Sequence, residues 1–288
     1  MVLVQPGKAR IQSGESSDGL GWEVAEWEPS LDLRPYIREL QGYLETTPAP
    51  LTRRELPGAR VVVILEFGPP IQVFGERGQA SSSTFQGGFV AGLDDGCTFT
   101  RHDGRQRGIQ INLTPIAARL FFDVPASELS GQVIPFTDLV PEHRLVCERL
   151  AELEQWDDRF ELIEDMLRKR IARSGADRRK VAAVDWFCRA LEGGATEIGV
   201  LADRLDYSHK HVLTLFRRYV GHTPGMLARL HRFERLTRDI KTAMDVNWAD
   251  LALKHGYHDQ SHLSRDTRRF AGTTPGKLRQ EFRNPLEG

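Results

Sequence analysis

Apolar residues are spaced in two ways along this chain, and the change falls near residue 113. Between about Gly21 and Leu113, Val, Ile and Phe come in short runs and alternations: "GWEVAEW", "ARVVVILEFG", "PPIQVFG", "GGFVAGL", "CTFTRHDG" and "RGIQINL". Gly, Pro and Asp punctuate them, which predicts strands and turns. Short strands at this spacing suggest a β-barrel or sandwich. The polar stretch "ERGQASSSTFQGG" (76–88) predicts an exposed loop. Beyond it, "LTPIAARLFFDVPASELSGQVIPFTDL" leads into helices, and "HRLVCERLAELEQWDDRFELIEDMLRKRIARS" carries Leu145, Leu150, Leu153, Phe160, Ile163 and Leu167 at helical spacing. That segment either packs on the strands or pairs with a second copy of the chain. The polar "RSGADRRK" (173–180) reads as a short hinge between the two halves.

The second half repeats itself. Leu201, Ala202 and Tyr207 match Leu251, Ala252 and Tyr257 at an offset of 50, and His211, Arg218, Gly221, Pro224 and Gly225 match His262, Arg269, Gly272, Pro275 and Gly276 at 51. Each copy reads as helix, tight turn, helix. Thr196 is expected to cap the first helix of the first copy, and Ser208 and Asp259 the second helix of each. Asp206 and Gly256 suit the corners, where a left-handed residue is needed. In the repeated "GHTPG" and "GTTPG", Gly ends one helix, Thr caps the next, and Pro takes its first position. The helix after the first copy, from about Pro224 to Met244, carries an apolar stripe of Met226, Leu227, Leu230, Phe233, Ile240 and Met244. It should span roughly 30 Å, close to the ~34 Å between successive major grooves on one face of DNA.

The second helix of each copy carries the functional signal. Val212, Leu215, Phe216 and Tyr219 share one face of the first, leaving Lys210, Thr214, Arg217 and Arg218 outside. Leu263 and Phe270 face inward in the second, leaving Ser261, Arg265, Arg268 and Arg269. A lone basic helix face is most simply a solvated one. Two at matched positions in helix-turn-helix frames fit base edges and flanking phosphates.

Charge sharpens this picture. The chain has 288 residues and a net charge of −1, but residues from Ala176 onward hold 20 Lys/Arg against 14 Asp/Glu, while the first 175 hold 19 against 26. The basic half is the one drawn to a polyanion. With 40% hydrophobic and 27% charged residues the chain is not disordered. It has no apolar run long enough for a membrane span and too short an N-terminal one for a secretory signal. Cys97, Cys147 and Cys188 are odd in number and far apart, which fits reduced thiols in a cytoplasm. His255, His258 and His262 lack cysteine or carboxylate companions at metal-site spacing, so structural or phosphate-contacting roles are expected, and no metal or cofactor.

"WADLALKHGYHDQSHLSRDTRRFAGTTPGKLR" closely resembles the second helix-turn-helix signature of the AraC/XylS family of bacterial transcription regulators, and the likeness covers about Val184 to Phe282. The resemblance implies base-edge contacts from Lys210, Leu213 and Thr214 in the first unit and from Ser261, His262 and Arg265 in the second. It places Arg217, Arg218, Gln260, Arg268 and Arg269 nearer the DNA backbone. Leu213 could touch only a thymine methyl or a sugar. Thr267 stands where the family usually has a core Phe, and Asp266 where the first copy has Leu215, which predicts looser packing of the second unit with Phe270 compensating.

"LRPYIRELQGYLE", "RELPGARVVVILEFGPP" and "FVAGL" resemble the N-terminal part of one AraC-type subgroup, implying a cupin-like sensing domain. The expected architecture is therefore α+β: a cupin-like β-barrel over 1–140, a helical segment for dimerisation and hinge over 141–175, and an all-α double helix-turn-helix over 176–288. The barrel mouth is the default effector pocket, with Phe67, Phe85, Phe89, Phe99, Arg101 and His102 as guesses. Glu66, Glu76, Asp103 and His102 do not make a metal site, so no enzyme is expected. The expected partners are double-stranded DNA, a small-molecule effector, a second copy and, by family, RNA polymerase. The rival readings are a cupin-type enzyme fused to a DNA-binding module and a protein-binding adaptor.

Overall fold

The alternating first half folds into two antiparallel sheets. The computed structural model describes residues 7–16, 19–75, 83–195 and 197–283. The strands are β1 (Arg10–Glu15), β2 (Gly21–Trp27), β3 (Ile37–Thr46), β4 (Leu51–Glu55), β5 (Val61–Glu66), β6 (Ile71–Gly75), β7 (Ser83–Phe85), β8 (Phe89–Ala91), β9 (Thr98–His102), β10 (Arg105–Leu113) and β11 (Val133–Pro135). The larger sheet runs β1-β2-β3-β10-β5-β8-β11 and the smaller β4-β9-β6-β7. The expected barrel is thus an open pair of sheets, because among the described residues neither set of strands hydrogen-bonds to the other. The sequence loop at 76–88 is corrected in part: Ser83–Phe85 forms β7, with Phe85 buried against Ile71. Residues 76–82 lie outside the described residues, as does Thr196.

Period two sorts each strand of the large sheet between two different surroundings. Ile109, Ile111 and Leu113 of β10, with Val63 and Leu65 of β5, belong to the main core on one face. Gln106 and Gln110 point to the other face, across from Glu45 and Gln41 of β3. Helices cover the first face: α1 (Pro115–Phe122), α2 (Ala126–Leu129), α3 (Phe136–Leu139), α4 (His143–Glu152) and α5 (Trp156–Arg173). Of the two readings left open for residues 143–172, the structure shows packing on the sheet. Phe160 stacks on Trp27 at 5.2 Å, and Ile163 and Leu167 are fully buried. Trp156 lies so close to Gly42 that a Cβ there would meet its ring at 2.1 Å, so the helix rests on a strand position where any side chain would collide. Leu145 stays exposed.

The helical half is α6 (Arg178–Glu192), α7 (Ile198–Asp203), α8 (His209–Tyr219), α9 (Pro224–Thr242), α10 (Trp248–Lys254), α11 (Gln260–Ala271) and α12 (Pro275–Arg283). The link before α6 is fastened, since Asp123 accepts from Ser174 Oγ at 3.0 Å and from the Gly175 amide at 3.2 Å. One hydrophobic cluster runs without a break from the sheet through α1 and α5 to α8, α9 and α11. Among the described residues no helix is long and apolar enough to cross a membrane.

Glu66 is the costly member of the β-rich half. It is 1% exposed, and accepts from Tyr43 Oη at 2.9 Å and the Arg107 amide at 2.8 Å. Burial outweighs those two donors and pushes its carboxyl up to about 7. A folded-state value above the unfolded one contributes stability at acid pH that is lost as pH rises from about 4.5 through about 7. Glu66→Gln is expected to raise the melting temperature at pH 8 by several degrees and to change it little at pH 5, as thermal unfolding at the two pH values would show.

Candidate nucleic-acid interface and interior cavity

Both helix-turn-helix corners form by the devices the sequence pattern predicts. Asp206 has φ 55° and Gly256 φ 72°, so each chain turns through a left-handed residue. Ser208 Oγ caps α8 by accepting the His211 amide at 3.3 Å, and Asp259 caps α11 by accepting the His262 amide at 2.7 Å. Tyr207 packs T-shaped against His211 and Tyr257 against His262, with ring centroids 4.7 and 5.3 Å apart. This pairing explains why Tyr and His repeat together. Gly221 (φ 88°) and Gly272 (φ 65°) follow the recognition helices, while Thr223 and Thr274 accept the Met226 and Lys277 amides at the starts of α9 and α12.

The faces divide as expected. Val212, Leu215, Phe216 and Tyr219 are buried under α8, and Leu263 and Phe270 under α11. Lys210, Thr214, Arg217 and Arg218 are exposed, as are Gln260, Ser261, Arg265, Arg268 and Arg269; Leu213 and His262 are half-buried. Three of these side chains are partly committed, Arg269 to Asp95 and two others locally. Thr214 Oγ1 donates to the Lys210 carbonyl at 3.0 Å, and His262 Nδ1 accepts the His258 amide at 3.4 Å. His255 is buried beside Asp239, 3.0 Å away. Burial pulls its imidazole below the usual value, against the pull of Asp239.

Helix α9 joins the two units, at about 28 Å for its 19 residues. Its buried stripe is Leu227, Leu230, Phe233, Leu236 and Ile240. Met244 is a correction: the helix ends at Thr242, capped by the Ala243 amide on the Asp239 carbonyl, and Met244 is 92% exposed. The expected looseness around Asp266 and Thr267 is also replaced by a specific contact. Asp266 is buried, accepting from Arg229 Nη2 of α9 at 2.6 Å, with Arg232 Nη2 at 3.4 Å. Arg232 lies over the Tyr257 ring and donates to the Gly256 carbonyl, so α9 holds the second corner as well as its helix. Thr267 Oγ1 donates to the Leu263 carbonyl, and Phe270 packs on Phe233 at 5.0 Å.

The β-rich half grips all three of these helices. His222 Nε2 lies 3.0 Å from the Leu93 carbonyl, and Gly221 abuts α2, where a Cβ would meet the Ala126 carbonyl oxygen at 2.7 Å. Arg269 pairs with Asp95, and Arg54 donates to the Ala271 carbonyl at 2.6 Å and to Glu281 at 3.0 Å. Glu234 of α9 accepts from Arg60 at 2.8 Å and the Ala59 amide at 3.0 Å. Burial pushes the Glu234 carboxyl up, but His231, Arg60 and the Ala59 amide together hold it below the usual range.

A cavity of about 470 Å³ lies between the two sheets. One part is apolar, lined by Val62, Ile64, Ile71, Val73 and Phe89; another is polar, lined by Gln41, Tyr43, Glu45, Arg53, Gln106 and Gln110. Of the six guessed effector residues, the structure puts Phe89 on its wall and the other five elsewhere. Phe85 packs against Phe89 at 5.1 Å. Phe99 and Arg101 are on the outer face of the small sheet, Phe99 stacked on Phe74 at 5.5 Å and beneath Arg54. Phe67 is on the helix side, under Arg107 and Arg159. His102 is buried at the end of β9, 3.3 Å from Glu45. Parity along a strand shows which residues share a face, but not which face is hollow. The lining Gln and Thr residues carried no sequence signal.

A family described as "Helix-turn-helix domain" matches residues 201–281, and "Domain of unknown function (DUF6597)" matches residues 25–135. The probable transcription factor PqrA of Proteus vulgaris is 27% identical over 89 residues, covering 31% of this chain and 72% of that protein. The structure of ToxT from Vibrio cholerae is similar over 81% of this chain and 98% of that one, at 9% identity and a TM-score of 0.45. The helix-turn-helix match over residues 201–281 and the transcription-factor relative support a DNA-binding transcription regulator of the AraC type.

Asp266→Leu, which copies the residue type of the first unit, is expected to destabilise the chain by about 2–4 kcal/mol, because Arg229 and Arg232 lose a buried partner. Asp266→Leu combined with Arg229→Met should recover part of that loss in a urea titration.

Proposed function

We propose that the two recognition helices enter adjacent major grooves on one face of a duplex, and that the β-rich half controls this through an occupant of its cavity. One observation carries the reading: two exposed basic helices, in matched helix-turn-helix frames, are joined by a single helix whose apolar face is buried. Arg265, exposed at the middle of α11, is assigned the main base-edge contact, with Lys210, Leu213, Thr214, Ser261 and His262 as the other base-edge candidates. Arg217, Arg218, Gln260, Arg268 and Arg269 are assigned to phosphates and sugars. The domains would be a sensing part over 1–140, a helical part over 141–175 and a DNA-binding part over 176–288. The family supports a cytoplasmic protein that pairs with a second copy and contacts RNA polymerase.

Control follows from what the cavity wall touches. Residues 53–60 and 91–98 line the cavity in part and also supply Arg54, Ala59, Arg60, Leu93 and Asp95 to the helix-turn-helix units. Asp95 occupies an arginine that is assigned to phosphate, so the β-rich half and DNA compete for Arg269. An occupant that shifts this wall changes the balance between two arrangements. Metal analysis of the purified full chain separates this reading from the rival cupin-type enzyme. Salt-dependent binding to duplex DNA separates this reading from a protein-binding adaptor.

Arg265→Ala should keep the fold and lose preference between target and random duplexes, each base contact being worth about 1–3 kcal/mol. Arg269→Ala should weaken both duplexes alike and lower the slope of log affinity against log salt by about one. Asp95→Asn should tighten DNA binding roughly twofold to fivefold, as expected for losing an exposed competing ion pair; fluorescence anisotropy across a salt series reads all three.

A further inference from the structure

The charges lining the cavity are not balanced, and their partners show which sign is available to a guest. Two arginines line it, Arg53 and Arg60. Arg53 is held by both oxygens of Glu45, one at 2.7 Å, and Arg60 donates to Glu234 at 2.8 Å. Both cations are therefore already matched by carboxylates. The acids are not. Glu55 accepts from Thr100 Oγ1 at 2.9 Å, and Asp94 from the Asp95 amide at 2.6 Å; among the described residues neither has a cation within ion-pair distance. Glu55 is exposed and Asp94 half-buried, so both carboxylates meet water as well as the cavity. Trp22, 40% exposed, lines the cavity too and supplies an aromatic face.

The interior extends the same potential. Gln41, Gln106 and Gln110 add neutral amides. Burial, with Glu66 and to a lesser degree Glu55 beside it, pushes the Tyr43 hydroxyl upward. A guest carboxylate would meet acids without ion-pair partners, Glu55 and Asp94 among them, and no free guanidinium. A guest ammonium would meet those same acids and an indole face, where cations are favoured. The apolar part, walled by Ile64, Ile71, Val73 and Phe89, suits a hydrocarbon or aryl body, and a volume of about 470 Å³ is that of a small-molecule site.

We infer that the cavity takes an amphipathic amine, with its apolar body among Ile64, Ile71, Val73 and Phe89 and its cationic nitrogen toward Glu55, Asp94 and Trp22. This rests on the reading of the cavity as the effector site and adds the chemical class of the effector. Arg53 and Arg60, although present in the wall, do not serve as an anion clamp. The inference excludes carboxylate guests of the same body.

The test uses the full chain and three probes that differ only in the head group: 4-phenylbutylamine, 4-phenylbutanol and 4-phenylbutanoate, titrated calorimetrically at pH 7. The amine should bind most tightly and the carboxylate at least tenfold more weakly. Glu55→Gln combined with Asp94→Asn should bring the amine close to the alcohol and leave the alcohol unchanged. Ile71→Trp, placed in the apolar part, should abolish binding of all three, with circular dichroism confirming the fold. Carboxylate binding as tight as the amine's, if lost in Ile71→Trp, overturns the head-group assignment and leaves the effector cavity standing. An amine preference that survives the double variant also overturns the assignment, and that arm does not depend on Ile71→Trp folding. Absence of binding by all three probes overturns the inference together with the effector reading beneath it.

Discussion

The burial of α9 is the constraint on which the two reading heads depend. A helix that presents Arg and Lys to solvent gains little fixed geometry from that face, because long exposed side chains are mobile. Its position must come from what is packed behind it. For α8 that backing is Phe216 against Phe187 of α6, with ring centroids 5.1 Å apart. For α11 it is Phe270 against Phe233 of α9. Helix α9 is itself seated against α6, so displacing it would carry the second unit away from the first. The Asp266 contact adds direction to this packing. Apolar surfaces slide with little change in energy, whereas a carboxylate held by two guanidinium groups from one helix fixes rotation as well as distance.

The ends of the recognition helices are where the two halves of the chain meet. Gly221 and Gly272 are required by backbone conformation, and the residues beside them carry the contacts to the β-rich half: His222 to the Leu93 carbonyl, Ala271 to Arg54 and Arg269 to Asp95. The repeated five-residue motif therefore works locally as a helix stop and start, and globally as a pair of docking points. Both docking points rest near the same short segment, Leu93 to Asp95. That segment is tightly placed: the chain at Gly92 passes so near the Leu129 carbonyl oxygen that a Cβ would lie 1.8 Å from it.

The helical half was more legible in the sequence than the β-rich half, and the reason is chemical. Caps, corners and αL residues are local devices, written within five residues of where they act, so Ser208, Asp259, Asp206 and Gly256 could be read directly. The second corner's anchor could not, because Asp266 and Arg229 are 37 positions apart. In the first half, β3 and β4 are strands rich in charge, "IRELQGYLET" and "LTRRE". Glu45 and Arg53 of these strands line the cavity and pair with each other, which breaks the usual link between charge and the outer surface. The same effect misdirected the pocket guess. Phe99 and Arg101 belong to the outer face of β9, while Thr98 and Thr100, with no aromatic or charge signal, line the interior.

A single continuous core also changes how control has to work. Were the two halves separate bodies on a flexible tether, an occupant could act only by moving one relative to the other. Here α1 and α2 lie against α8, and Glu234 of α9 is held by the backbone and side chain of residues 59 and 60. Arg54 and Asp95 have their contacts on the helix side of strands and loops whose neighbours Arg53, Glu55 and Asp94 line the cavity. Alternation along an extended chain sends successive residues to opposite sides. A change felt by Arg53 or Asp94 is therefore carried by one peptide unit to Arg54 or Asp95. Transmission over that distance needs no domain swing, only a shift in a wall whose outer surface already holds the second recognition helix.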